Sequence, residues 1–371
     1  MKVLLVGGTS AALGGVERYC QRFADAFALH SEVGVRVLPA ESAVAGAPPG
    51  AYARRLLSSL ARVRRDAAAL DPRHDAVWVQ YGNAPDLLLV VAVRAVFRGR
   101  LLVTVHAGEQ WRHLRSGRVR RAAAWALRRA DAVCALSGAQ RALWAGEGIR
   151  AEVVPTLLPD WVNRGGDAAG PRQGVLFVGR LSPEKGVGDL LEAFARAAPG
   201  ERLHVAGTGD PAYAASLRER ARALGLGDRV EWHGVVPEQG VSRLMARCRL
   251  FVYPSSADAY PLSVLEAFAA GMRVVAYDIP GTAEMLAEYG GAAVRPGDVA
   301  ALADEMERAL GAGEPDRAGA AALRRRLGWA AVVRRYEAVL GRGAIEAPRG
   351  WERGMPPPHV CADDQQRKVE A

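Results

Sequence analysis

Three observations predict an α/β fold of two similar Rossmann-like halves facing each other across a cleft. The chain has 371 residues, enough for two domains of ordinary size. Short runs rich in Val, Leu and Ala recur every 25 to 45 residues or so, separated by longer amphipathic Ala/Arg/Leu segments, the alternation of βαβ units on parallel sheets. Between Asp160 and Gly174 that periodicity gives way to Gly, Pro and Asp, and then it resumes.

In the first half the spacing predicts strands at Val3–Val6, Val33–Leu38, Ala76–Gln80, Leu101–His106, Ala132–Leu136 and Glu152–Val154, with helices starting near Gly15, Tyr52, Pro85, Arg118 and Gly138. In the second half it predicts strands at Gly174–Val178, Arg202–Ala206, Val230–Trp232, Leu250–Val252, Arg273–Ala276 and Ala292–Val294. Helices are expected there at Gly188–Arg196, Tyr213–Leu224, Gly240–Arg247, Ser263–Ala270, Thr282–Glu288, Val299–Leu310 and Ala320–Leu340. The domains are therefore 1–160 and 174–341, with 161–173 as linker, the last helix packing back on the first domain, and 342–371 as a tail without a periodic apolar face. Ligands of such folds sit beyond the C-terminal strand ends, which puts the expected site in the cleft.

Half of the residues are apolar and 24% are charged, which excludes disorder and collagen-like repeats for the bulk of the chain. The four cysteines, Cys20, Cys134, Cys248 and Cys361, form no C-x-x-C pair, so a reducing compartment and no zinc ribbon are expected. The first eight residues are too short an apolar run for a signal peptide, and Arg94 breaks the longest apolar stretch, so a cytoplasmic protein is expected. The net charge of +9 is uneven: residues 1–165 hold 23 basic and 13 acidic residues, residues 166–371 hold 26 and 27. Only Lys2, Lys185 and Lys368 are lysines among 49 basic residues, so Lys185 is the one lysine away from the ends.

The loop from Gly7 to Gly15 does not match G-x-G-x-x-G, which argues against a nicotinamide cofactor. Gly14-Gly15 opens a helix whose amides suit an anion, or it is a tight turn. In the stretch Leu176-Phe177-Val178-Gly179-Arg180-Leu181-Ser182-Pro183-Glu184-Lys185-Gly186 a buried strand runs straight into a rim where Arg180 can fork onto a diphosphate and Lys185 supplies a point charge. From Tyr253 to Ala267 a strand ends, a polar loop carries Asp258, and a helix begins near Leu262 with Glu266 one turn inside. Carboxylates there suit sugar and ribose hydroxyls. Gly207-Thr208-Gly209, Val230 to Gly234 and Pro280 to Glu284 mark the same rim. In the first half, Val103-Thr104-Val105-His106 brings a histidine to a strand end on the cleft edge, either a functional group facing the anion site or a structural histidine whose expected partner is Thr104; His204 has no comparable setting.

Together these residues resemble the family 4 glycosyltransferases, nucleotide-sugar enzymes of the two-domain GT-B fold, from Met1 to about Leu340. The resemblance implies catalytic roles for His106, Arg180 and Lys185, the last two holding the donor diphosphate. It implies donor binding by Gly15, Gly179, Gly207 and Glu266, the last on the ribose diol, and by Asp258 with the amides of Ala259, Tyr260, Pro261 and Leu262 on the sugar. One departure stands out: Asp258 occupies the first position of the family's E-x7-E pair, one methylene shorter. The resemblance further implies a retaining hexosyl or N-acetylhexosaminyl transfer to a lipid-linked glycan or a small molecule, with no metal or other cofactor; the chain lacks a D-x-D pair. The competing expectation is a catalytically silent relative that binds a glycan or a partner. Nucleic acid is not an expected partner. The arginines from Arg112 to Arg129 and from Arg54 to Arg65 suit a peripheral contact with anionic lipid.

Overall fold

The structure, a computed structural model, describes residues 1–7, 15–40, 49–107, 112–154, 156–164, 172–313 and 317–341. Gly14, residues 165–171 of the expected linker, Cys361, Lys368 and the expected tail lie outside the described residues.

The first half runs β1 (Lys2–Val6), α1 (Gly15–His30), β2 (Gly34–Leu38), α2 (Pro49–Ala68), β3 (Ala76–Tyr81), α3 (Asp86–Val96), β4 (Arg100–Val105), α4 (Gly117–Leu127), β5 (Ala132–Ala135), α5 (Gly138–Ala145) and β6 (Ala151–Val153). A short helix α6 (Asp160–Arg164) follows. The second half runs β7 (Val175–Val178), α7 (Val187–Ala197), β8 (Leu203–Ala206), α8 (Pro211–Ala223), β9 (Val230–Gly234), α9 (Glu238–Arg247), β10 (Leu250–Tyr253), α10 (Leu262–Ala269), β11 (Arg273–Tyr277), α11 (Pro280–Tyr289), β12 (Ala292–Val294), α12 (Val299–Gly311), α13 (Arg317–Leu327) and α14 (Trp329–Val339). Each half is a parallel six-stranded sheet, β2-β1-β3-β4-β5-β6 and β12-β11-β10-β7-β8-β9. Helices cover both faces, so central strands read as unbroken apolar runs; every residue of β3, Ala-Val-Trp-Val-Gln-Tyr, is buried.

Two details differ from the sequence reading. The segment expected as linker begins with α6, whose Val162 joins the core of the second domain. The single helix expected over 320–340 is two, because Gly328 leaves the helical region (ψ 142°) and serves as the N-cap of α14, a position where glycine's poor helix propensity costs little.

That break lets α14 turn onto the first sheet. Trp329, Val332, Val333, Tyr336 and Val339 share a core with Tyr19, Phe23 and Trp78. The Tyr336 ring stands edge-on to Phe23 and Trp78, with centroids 5.0 and 5.1 Å away. Burial of each large apolar side chain contributes about 1.5–3 kcal/mol. The Tyr19 and Tyr336 hydroxyls are 2.6 Å apart, and Trp329 Nε1 donates to the Leu158 carbonyl at 2.7 Å. The polar ends of the aromatic side chains are thereby satisfied inside the core.

Candidate active site

In the second sheet, β7 and β10 are neighbours, while β8 lies to one side and β11 to the other. The chain leaves β7 and β10 in opposite directions, which opens a crevice beyond their C-terminal ends. The loops that line it are the two singled out in the sequence, Gly179 to Gly186 and Pro254 to Pro261.

These loops are locked together. Gly186 has φ +67°, and a Cβ there would lie 1.9 Å from the Pro254 carbonyl oxygen. Gly207 has φ +147°, and a Cβ there would lie 1.8 Å from the Gly179 carbonyl oxygen. Neither position tolerates a side chain, so backbone passes backbone at the rim. Pinned in this way, Lys185 is buried (7% exposed). Its Nζ donates to Asp258 Oδ2 at 2.5 Å and to the Tyr253 hydroxyl at 2.9 Å. The Tyr253 hydroxyl also donates to Asp258 Oδ2 at 2.6 Å. Burial and the adjacent Asp258 carboxylate push the Tyr253 phenol well above its ordinary pKa, so it remains a donor. Arg180 is exposed on the same rim. Burial raises the Glu184 carboxyl, but the Ser182 hydrogen bond and the charges of Arg180 and Lys185 bring it below its usual range.

Asp258 Oδ1 accepts the amide of Tyr260 at 3.1 Å. That amide is therefore committed, and Pro261 has none. Of the four residues expected to offer amides at the start of α10, only Ala259 and Leu262 can donate to a ligand. The N-cap of α10, Pro261, makes no side-chain capping bond, so the first amides of the helix are not satisfied by a cap side chain.

Glu266 is 5% exposed, and its Oε1 takes an ion pair at 3.0 Å from Arg22 of α1, in the opposite domain. Arg22, itself 4% exposed, also pairs with Glu238 at 2.6 Å. Burial pushes the Glu266 carboxyl above its ordinary range, and Arg22 offsets part of that rise. The contact spans the cleft and leaves Glu266 Oε2 outside it. Gly15 opens α1, seven residues before Arg22 and so about 10 Å along the helix axis. A second contact between the halves uses Glu284, whose oxygens accept the amides of Gly138 at 2.8 Å and Ala139 at 2.5 Å at the start of α5. Glu284 is thus an anion at a helix N-terminus, a brace between domains rather than a ligand contact.

His106 lies at the end of β4, its amide bonded to the Tyr81 carbonyl at 2.7 Å. Its partner is Gln80, with Nε2 to Oε1 at 2.8 Å. Thr104, the expected partner, instead accepts from Trp78 Nε1. Burial drives the His106 pKa down to about 4, so the ring is neutral near pH 7. The buried Gln80 Nε2 has no partner among the described residues.

Sequence reasoning missed Arg22, Glu238 and Gln80. Arg22 carried a usable signal: a cation beside Tyr19, Cys20, Phe23 and Phe27 on a helix face that is otherwise buried. The arginine-rich helices are exposed at Arg54, Arg64, Arg65, Arg118 and Arg121, and among the described residues no helix is long and apolar enough to cross a membrane.

Residues 166–325 match the family model described as glycosyl transferases group 1. The chain is 37% identical over 169 residues to an exopolysaccharide phosphotransferase of Streptomyces coelicolor, covering 44% of this chain and 17% of that one. It is 30% identical over 264 residues to the 2-deoxystreptamine N-acetyl-D-glucosaminyltransferase of Streptomyces fradiae, covering 63% and 59%. The chain thus spans about three fifths of that second relative's length and a sixth of the first. Among solved structures, Anabaena HepE in complex with UDP and glucose superposes with a TM-score of 0.69 over 92% of this chain and 99% of that one at 20% identity, a likeness of fold. Residues 166–325 are therefore similar to the glycosyl transferases group 1, on a chain with the two-sheet GT-B architecture.

Proposed function

We propose that this chain is a glycosyltransferase that moves a hexosyl or N-acetylhexosaminyl group from a nucleotide diphosphate sugar to an acceptor hydroxyl, with retention and without a metal ion. The observation that carries this reading is the buried Lys185–Asp258–Tyr253 cluster at the crevice of a domain similar to the glycosyl transferases group 1. Breaking the anomeric bond leaves charge on a diphosphate, and a cation already fixed in position stabilises that charge without reorganising. Lys185 meets this need from a buried site, Arg180 from the rim, and the start of α10 with its uncapped amides. His106, being neutral, offers a hydrogen bond to the sugar or acceptor rather than a charge. The departing phosphate takes the acceptor proton in a same-face attack, and Glu266 holds the ribose through its free oxygen. The acceptor is a lipid-linked glycan or a small molecule, and the enzyme works in the cytoplasm, with the exposed arginines of α2 and α4 resting on anionic lipid.

UDP-, GDP- and ADP-sugars would be screened for binding and then for transfer, with and without EDTA, and the product's anomeric configuration read by NMR. Lys185→Ala is expected to lower turnover about a hundredfold or more, read at a temperature where circular dichroism shows the variant folded, because the change also leaves Asp258 without its cation. Near-normal turnover in that variant refutes the assignment, and donor binding without transfer to any acceptor refutes the enzyme reading. Salt-sensitive co-sedimentation with anionic vesicles tests the lipid contact.

A further inference from the structure

The far edge of the second sheet carries a cluster that the donor site does not use. His204 on β8 pairs in register with Glu231 on β9, and His233 follows two residues later on the same strand. The β8–β9 register shifts between Val205 and Ala206: Val205 pairs with Trp232 and Ala206 with Gly234, so His233 is the extra residue of a β-bulge. Bulges re-aim side chains, and this one turns His233 toward its neighbours. His204 Nδ1 lies 3.1 Å from His233 Nε2 and 3.3 Å from Glu231 Oε2, and His233 Nε2 lies 3.9 Å from that same oxygen. The mean of those three separations is about 3.4 Å, the edge of a tetrahedron whose metal–ligand bonds are about 2.1 Å long.

Two further features suit a cation. Arg202 donates to Glu231 Oε1 at 3.2 Å, which leaves Oε2 to face the imidazoles and orients the carboxylate from behind. The side chains of His204, Glu231 and His233 are 13%, 41% and 27% exposed, so the cluster opens to solvent on one side, where water can complete the coordination.

We propose that His204, Glu231 and His233 bind a zinc ion that clasps the edge strand β9 to β8. Two imidazoles and one carboxylate suit zinc, whereas magnesium and calcium take oxygen ligands. The clasp ends beside Gly234, whose carbonyl accepts the Gly207 amide at 2.8 Å, so it steadies the rim of the crevice.

The test uses the full chain without an affinity tag, stripped with EDTA and titrated calorimetrically with zinc chloride. One equivalent is expected to bind and to raise the melting temperature, and magnesium chloride is expected to do neither. His233→Ala should weaken zinc binding by at least the roughly hundredfold that loss of an outer-shell partner can cost. Glu231→Gln, which keeps the side-chain shape, should weaken it as well and guards against misfolding of the first variant. Cobalt in place of zinc should give the intense visible bands of a tetrahedral site. Absence of saturable zinc binding, or binding unchanged in both variants, overturns the proposal.

Discussion

Arg22→Met is the sharpest probe of how the two halves hold together. Methionine keeps the aliphatic stem packed and removes the guanidinium. Arg22 and Glu266 are 4% and 5% exposed, so the variant leaves a carboxylate buried without its cation. Removing one partner of a buried pair costs about 3–5 kcal/mol. The contact with Glu238, whose side chain is 42% exposed, adds no more than about 1 kcal/mol. The loss also depends on pH. Burial holds the Glu266 carboxyl above its unfolded value, so the folded state binds the extra proton. That stability is fully present below the unfolded carboxyl pKa and is lost as pH rises through the folded one. Arg22→Met raises the folded value further, so its cost is expected to be greater at pH 8 than at pH 5. Urea denaturation at both pH values measures it. The double variant Arg22→Met/Glu266→Gln removes the stranded charge and should recover roughly 2 kcal/mol or more of the loss. A double variant no more stable than the single one, or a single-variant cost that is the same at pH 5 and pH 8, would refute the reasoning.

Three other substitutions test separate parts of the structure. With a folded pKa of about 4, His106 binds fewer protons folded than unfolded, so it contributes stability above about pH 6.5 that is lost as pH falls through 4. His106→Gln should abolish about 2 kcal/mol of that acid loss, read as the difference between urea midpoints at pH 7.5 and 4.5. Gly207→Ala places a methyl on the Gly179 carbonyl at a φ of +147° and should cost roughly 3 kcal/mol or more, with loss of donor binding by calorimetry. Tyr336→Phe removes one buried hydrogen bond to Tyr19 and should lower stability by about 1–2 kcal/mol without changing the secondary structure seen by circular dichroism.

The central strands were legible because each is a short apolar run whose two faces are both covered, a property of the local sequence. The crevice loops were legible for a related reason: at Gly186 and Gly207 backbone passes backbone too closely for a side chain, and that crowding dictates the residue type. The partners of the site residues were not. Lys185 meets Asp258 across 73 residues and Arg22 meets Glu266 across 244, and no periodicity reports contacts that depend on how one sheet faces another. The break at Gly328 was hidden too, since a lone glycine within a helical pattern is tolerated as often as it ends the helix. His204 was passed over because its neighbours become visible only once β8 and β9 pair.

The short carboxylate at position 258 acquires a reason from its surroundings. Asp258 Oδ2 reaches both Lys185 Nζ and the Tyr253 hydroxyl while Oδ1 takes the Tyr260 amide, so both of its oxygens are turned back into the loop. A glutamate would carry its carboxylate about 1.5 Å further along the side chain, one carbon–carbon bond. In this chain the residue holds the only interior lysine in place. The Lys185 ammonium is thus fixed at the crevice by a tyrosine, an aspartate and a glycine turn, beside the exposed Arg180 on the rim. Arg54, Arg64, Arg65, Arg118 and Arg121 of the first half sit instead on the solvent-facing sides of α2 and α4.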